Sequence, residues 1–128
     1  MDSSFRKRFP FQRRQAESAK QRRQHPDRIP VIVEAYDGAD SANRTRVGEL
    51  TQHKFLVPSH ITMGKFMCVL RQRLKLNAAM ALILCTNHET KPRSIPPVSS
   101  LLSQIYATHH DLDGFLYFQY SGESCFGK

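Results

Sequence analysis

Apolar residues are spaced in two different ways along the chain. Over 62–76, TMGKFMCVLRQRLKL, Met63, Phe66, Met67, Leu70 and Leu74 fall at i, i+3, i+4, i+7 and i+11. That spacing draws one apolar face on an α-helix, with Lys65, Arg71, Arg73 and Lys75 around the rest and Thr62 placed to cap it. Four other segments are dense in strand formers: RIPVIVEAY (28–36), HKFLVP (53–58), MALILCTN (80–87) and GFLYFQY (114–120). Pro30 inside the first argues for an early or edge position. SLLSQIYATHH (100–110) predicts a short helix. FQRRQAESAKQRRQ (11–24), free of Gly and Pro and bracketed by Pro10 and Pro26, predicts a longer one. Its apolar residues, Phe11, Ala16 and Ala19, are too few to bury much, so it must lean on a larger body with its cations in solvent. DGADSANRTR (37–46) and HETKPRSIPP (88–97) read as exposed loops.

After residue 27 the order is strand, strand, helix, strand, short helix, strand. A hairpin, a crossing helix and two further strands make an α+β fold with the long helix on one face of the sheet. That is the ubiquitin-like β-grasp layout: a four-stranded mixed sheet with a crossing helix, here preceded by two N-terminal helices. The chain of 128 residues is one domain by size. It divides into a basic helical extension (1–27), a core (28–120) and a tail (121–128).

Charge sharpens this picture. Of the net +8, residues 1–28 carry +6, from Arg6, Lys7, Arg8, Arg13, Arg14, Lys20, Arg22, Arg23 and Arg28 against Asp2, Glu17 and Asp27. A block of that density favours an anionic partner: nucleic acid, an acidic membrane surface, tubulin-like acidic tails or acidic peptides. It also serves as a solvated helix face with no partner. Cys68, Cys85 and Cys125 form no CxxC pair and are odd in number, which suits free thiols in a reducing compartment such as the cytoplasm. Cys85 lies in an apolar run and reads as inert core, and the neighbours of Cys68, Met67 and Val69, suggest packing as well. No apolar run approaches the ~18–20 residues of a membrane span, and MDSSFRKRFPFQRR is not followed by the apolar stretch of a secretory signal. HHDLD (109–113) holds metal-ligand types, but neighbouring side chains on a loop diverge and no distant partner completes a set, so no metal is assigned. No Ser/His/Asp or Cys/His arrangement and no Gly-rich phosphate loop is evident. The domain reads as a non-enzyme without cofactor.

The chain ends YSGESCFGK. Cys125 is fourth from the end, but Phe126, Gly127 and Lys128 do not make a prenylation box, which needs two aliphatic residues and a permissive last one. Two readings remain open from the residues alone: a frayed end without a role, or a Gly127 carboxylate kept ready for chemistry once Lys128 is removed.

HPDRIPVIVE (25–34), KFLVPSHITMGKF (54–66), RQRLKL (71–76), SIPPVSSLLSQIY and HHDLDGFLYFQYS, taken in order up to the terminal Phe-Gly, resemble the autophagy-related protein 8 family of ubiquitin-like modifiers. The resemblance runs through nearly the whole chain. It implies that a cysteine protease removes Lys128, that activating and conjugating enzymes carry the Gly127 carboxylate, and that it is joined to phosphatidylethanolamine. Phe126 would give those enzymes an apolar handle. The protein would move from cytoplasm to the autophagosome membrane on lipidation. The resemblance further implies a groove for aromatic-x-x-aliphatic peptides of cargo receptors and adaptors, bound by strand addition along Lys54, Phe55 and Leu56. Its aromatic pocket would take Glu17, Pro30, Ile32, Lys54, Leu56 and Phe115. Its aliphatic pocket would take Phe55, Val57, Pro58, Ile61, Phe66 and Val69. Arg28 and Arg73 would meet carboxylates. Departures include Gln21, where an apolar groove residue is usual, Val69 in place of leucine, Cys125, and loops at 37–46 and 88–94 that look longer than in part of the family. Two rival functions stand beside this one. One is a basic nucleic-acid-binding module, for which no base-reading motif speaks and no specific nucleic acid is expected. The other is a microtubule adaptor working without lipidation, with tubulin as partner.

Overall fold

The computed structural model describes residues 3–36, 49–76 and 79–122. The loop expected at 37–46 and the tail residues Cys125, Phe126, Gly127 and Lys128 lie outside the described residues. Eight elements follow one another: α1 (Ser4–Arg8), α2 (Phe11–Gln24), β1 (Arg28–Ala35), β2 (Lys54–Pro58), α3 (Met63–Leu74), β3 (Ile83–Thr86), α4 (Leu102–His109) and β4 (Leu116–Ser121). The strands form one mixed sheet in the order β2-β1-β4-β3. β1 and β4 run parallel at its centre, with Val31 opposite Leu116 and Val33 opposite Phe118. The outer pairs, β1 with β2 and β3 with β4, are antiparallel. This is the β-grasp arrangement the element order predicts.

Alternation along the strands sends side chains to two different layers. Ile29, Val31 and Val33 of β1 and Leu116, Phe118 and Tyr120 of β4 pack with Met63, Phe66, Leu70 and Leu74 of α3 in the main core. The helix begins where Thr62 Oγ1 accepts from the Lys65 amide at 3.1 Å. It ends at Lys75, whose φ of 57° is left-handed. Cys68 is exposed, against the packing expected of it: it sits off the stripe that buries Met63, Phe66, Leu70 and Leu74. Cys85 is buried, as its apolar run suggests.

Ile32, Phe115 and Tyr117 face the other way and are covered by Phe5 of α1, with Phe9 against them. The N-terminal helices therefore lie on the sheet face opposite α3. They are fastened mainly by polar contacts. Arg6 pairs with Asp111 at 2.7 Å and stacks 3.9 Å from the Tyr117 ring centre. Arg14, itself buried, has its Nε 3.2 Å from Asp113 Oδ2. Ser18 Oγ donates to the Asp113 carbonyl, and the Arg22 guanidinium lies 4.7 Å from the Tyr106 ring centre. α2 can be poor in apolar residues because an ion pair, a hydroxyl bond and a cation–π contact hold it to the sheet side.

The turn that receives α2 requires a glycine. Gly114 has φ +91°, and a Cβ there would stand 2.4 Å from Ser18 Oγ. Strand boundaries move in two places. The strand expected over 80–87 spans only Ile83–Thr86, because β3 pairs with β4 alone and β4 stops at Ser121 opposite Ile83. Among the described residues none pairs as a strand with those just before Ile83, although Leu82 still enters the core. The last strand starts at Leu116, beyond the Gly114 turn, and runs one residue past the expected end to Ser121.

A candidate peptide-docking groove at the sheet edge

β2 is an edge strand, and its hydrogen-bonding parity can be read directly. The Val33 amide donates to the His53 carbonyl at 2.9 Å, and the register pairs Val31 with Phe55 and Ile29 with Val57. In an antiparallel pair alternate residues bond to the partner. His53, Phe55 and Val57 thus turn their backbone groups to β1, whereas Lys54 and Leu56 turn theirs to the open edge. Open edges of this kind are templates for an added strand.

Beside that edge lies a cavity of about 320 Å³ lined by Glu17, Gln21, Pro30, Gln52, Lys54, Phe55, Leu56 and Phe115. The alternation explains it. Lys54 and Leu56 project to the same sheet face as Ile32 and Phe115, the face on which α2 stands. Of the six residues expected around an aromatic pocket, Glu17, Pro30, Lys54, Leu56 and Phe115 line this cavity. Ile32 does not: it is fully buried in the small cluster with Phe5, Phe115 and Tyr117. Its place is beneath the pocket, as packing for the floor. Gln21 does face the cavity and adds a polar amide to a lining whose apolar part is Pro30, Phe55, Leu56 and Phe115.

The residues expected for an aliphatic pocket separate into two groups. Phe55, Val57 and Phe66 belong to the main core, with Phe66 only 1% exposed and its ring edge-on to Phe55 at 6.0 Å. Pro58, Ile61 and Val69 are half-buried and keep some surface.

Cations frame the groove. Lys54 Nζ pairs with Glu17 Oε2 at 2.6 Å. Arg28 Nη1 donates to the Leu56 carbonyl at 3.2 Å. The Arg73 guanidinium lies 5.6 Å from the Phe55 ring centre and donates from Nη1 to Gln52 Oε1 at 3.0 Å. All three cationic side chains are at the surface, where a charge-bearing peptide can reach them. Gln52 went unassigned in the sequence. Extending the two-residue period of β2 back from Lys54 would have placed it on the same face.

A second polar centre fastens α1 and α2. His88, Glu89 and Asp111 bring ligand-type atoms within 4.8 Å of one another. Their lone pairs are largely engaged: His88 Nδ1 accepts from the Thr90 and Lys91 amides, Glu89 Oε2 from the Leu112 amide, and Asp111 from Arg6 and the Glu89 amide. Burial raises the Asp111 carboxyl to about 6, against the pull of Arg6. Burial and Lys91 lower His88, which suits its role as acceptor. Burial and the bond to Asp113 raise the Tyr117 hydroxyl, which donates to Asp113 Oδ2 at 2.7 Å. None of these groups faces the edge of β2. Among the described residues no helix is long and apolar enough to cross a membrane.

Comparison with known proteins agrees with this architecture over its whole length. A family model described as autophagy protein Atg8, ubiquitin-like, matches residues 13–127. Autophagy-related protein 8A of Oryza sativa subsp. indica is 44% identical over 126 residues, 98% of this chain and 97% of that relative. Autophagy-related protein 8d of Arabidopsis thaliana is 42% identical over 125 residues, 98% of this chain and 95% of its own. The crystal structure of Trypanosoma brucei ATG8 superposes with a TM-score of 0.80 at 40% identity, covering 99% of this chain and 100% of that one. The chain belongs to the Atg8 family of ubiquitin-like autophagy proteins.

Proposed function

We propose that this protein is a lipid-conjugated modifier that acts as substrate and adaptor, with no catalytic chemistry of its own. Hydrolysis of the Gly127–Lys128 peptide bond by a cysteine protease frees the Gly127 carboxylate. Adenylation by ATP, with release of pyrophosphate, and displacement of AMP by an enzyme thiol make a thioester. The amine of phosphatidylethanolamine then displaces the thiol and forms an amide. Glycine suits this sequence because, lacking a Cβ, it threads a narrow channel and leaves its carbonyl unhindered. Phe126 supplies the apolar grip beside it. The product carries two acyl chains, enough for stable anchoring where one gives only marginal binding. On this reading the protein passes from cytoplasm to the autophagosome membrane. The family match, which runs to residue 127, supports the reading.

Once anchored, the protein recruits cargo receptors through aromatic-x-x-aliphatic peptides added as a strand to β2. The single observation that carries this is the open backbone edge of Lys54 and Leu56 beside a cavity walled by Leu56, Pro30 and Phe115. Backbone bonds would supply affinity and side-chain pockets the choice of peptide. Arg28, Lys54 and Arg73 favour peptides with acidic flanks. Calorimetry with one such peptide tests docking. Membrane fractionation of Gly127→Ala tests conjugation: loss of the membrane-bound form supports it, and persistence contradicts it.

A further inference from the structure

Between α1 and the end of β1 lies a second cavity, of about 530 Å³, whose lining includes Ser4, Lys7, Arg8, Glu34, His53 and Gln119. Three of these come from one face of α1. Ser4, Lys7 and Arg8 stand at i, i+3 and i+4, the spacing that makes side chains neighbours on a helix. All three are exposed. The residues between and before them are engaged elsewhere. Arg6 is held by Asp111, and Ser3 is buried, with its Oγ accepting from the Arg6 amide. Lys7 Nζ has no acceptor among the described residues, and the Arg8 guanidinium lies 5.3 Å from the Phe9 ring centre. Across the cavity, His53 holds Nδ1 3.0 Å from the Val33 carbonyl oxygen, so Nε2 is the ring nitrogen left for another partner. Glu34 is the one carboxylate in the lining, and its Oε2 accepts from the Phe5 amide at 2.9 Å. The cavity thus places a hydroxyl beside an excess of positive charge.

We propose that Ser4 is a phosphorylation site and that this cavity receives the phosphate. The γ-phosphoryl group of ATP passes to Ser4 Oγ, its bond to ADP breaks, and the hydroxyl proton goes to the carboxylate base of a protein kinase. Arg6, Lys7 and Arg8 follow the acceptor at the second, third and fourth positions and suit a kinase that reads cations there. Local opening of α1, five residues long, presents the segment in extended form. The product carries about −1.5 to −2 charges and three strong acceptor oxygens. On the re-formed helix Lys7 and Arg8 are one turn away, and His53 reaches in from the residue ahead of β2. Charge-assisted bonds to them tie α1 to the sheet. Glu34 opposes this, one carboxylate against two permanent cations. Ser3 is no substitute: its hydroxyl is buried and caps the helix, so a phosphate there would break the cap that a phosphate on Ser4 leaves intact.

The test has two arms. Peptide mass spectrometry on the protein from growing and from starved cells, with phosphatases blocked, reads the modification itself. Phosphate on Ser4 supports the proposal; an unmodified Ser4 in both, or phosphate on Ser3 alone, overturns it. The second arm reads the full chain, phosphorylated at Ser4 by semisynthesis, beside a synthetic peptide of residues 1–10 carrying the same group. Phosphorus NMR is expected to give the phosphate a lower second pKa in the folded chain than in the peptide. Lys7→Ala and Arg8→Ala, both at exposed positions, should each bring the folded chain back toward the peptide. The His53 ring resonances should move on phosphorylation, and His53→Ala should remove part of the difference from the peptide. The α1 amides should exchange about two- to tenfold more slowly, as one added hydrogen bond gives. A phosphate that titrates as it does in the peptide, or a His53 ring that does not respond, overturns the proposal.

Discussion

Lys54 Nζ stands 2.6 Å from Glu17 Oε2, so the edge strand and α2 are tied together across the mouth of the cavity they line. Both side chains are partly exposed, at 53% and 31%. An ion pair of that kind contributes ~0–1 kcal/mol to stability. Its weight falls on recognition, because Glu17 occupies a cation that a peptide carboxylate would use. Glu17→Gln is expected to leave the unfolding midpoint nearly unchanged while tightening an acidic peptide a few-fold at low salt. The gain should shrink as salt is raised, since screening falls on exposed charges first. Calorimetry at two salt concentrations checks both statements.

Leu56 and Phe55 are neighbours in sequence that both border the cavity but differ in burial. Leu56 is half-buried, whereas the Phe55 ring packs edge-on against Phe66 in the core. Leu56→Ala is therefore expected to cost at least tenfold in peptide affinity, by loss of about 1.5–3 kcal/mol of apolar contact, with little change in stability. Phe55→Ala is expected to cost about 3–5 kcal/mol of folding stability. Denaturant unfolding of both variants, read beside their affinities, separates recognition from core.

Asp111 makes stability depend on pH. Its carboxyl sits at about 6 in the folded protein against an ordinary 3.8, because burial disfavours the charge more than Arg6 restores it. A folded-state value above the unfolded one adds stability below the unfolded value and loses it as pH rises through the folded one. The contribution should thus fall by about 2 kcal/mol between pH 4 and 7, at 1.36 kcal/mol per unit. Urea unfolding should show the unaltered protein losing stability relative to Asp111→Asn as pH rises across that range. A constant difference would contradict this.

Gly114→Ala is expected to loosen α2. A Cβ at φ +91° is strained, and it would meet Ser18 Oγ, which donates to the Asp113 carbonyl. The cost should exceed the ~1 kcal/mol of an ordinary glycine replacement. Hydrogen exchange should show it first in α2, ahead of β1 and β4. Uniform protection would mean that α2 is held by other contacts.

Much of this fold was legible because periodicity reports sidedness. The i, i+3, i+4 stripe of α3 named Met63, Phe66, Met67, Leu70 and Leu74 as its apolar face; four are buried and Met67 is half-buried against the same core. The strands were legible as segments but not in extent: β3 is cut to the length of its pairing with β4, a property of the partner. At the groove, Leu56, Lys54, Pro30, Glu17 and Phe115 converge as expected. Ile32 and Phe66, expected at the pockets, are buried in the two cores, because an apolar residue beside a pocket and one beneath it look alike in sequence. The anchoring of α1 was illegible. Arg6 and Asp111 are 105 positions apart, and only the closed sheet brings them to 2.7 Å. Gln52 was missed for a local reason: it lies one residue ahead of the strand expected at 53–58, although the two-residue period carried back from Lys54 puts it on the groove face.

The central claim, that Gly127 is the atom of attachment, is tested most directly by intact and C-terminal peptide mass on the membrane fraction of cells induced for autophagy. The account predicts a species that ends at Gly127, lacks Lys128 and carries phosphatidylethanolamine, and that is missing when Gly127→Ala replaces the natural chain. A membrane-bound protein that still ends in Lys128, or one equally abundant in the Gly127→Ala cells, would contradict it.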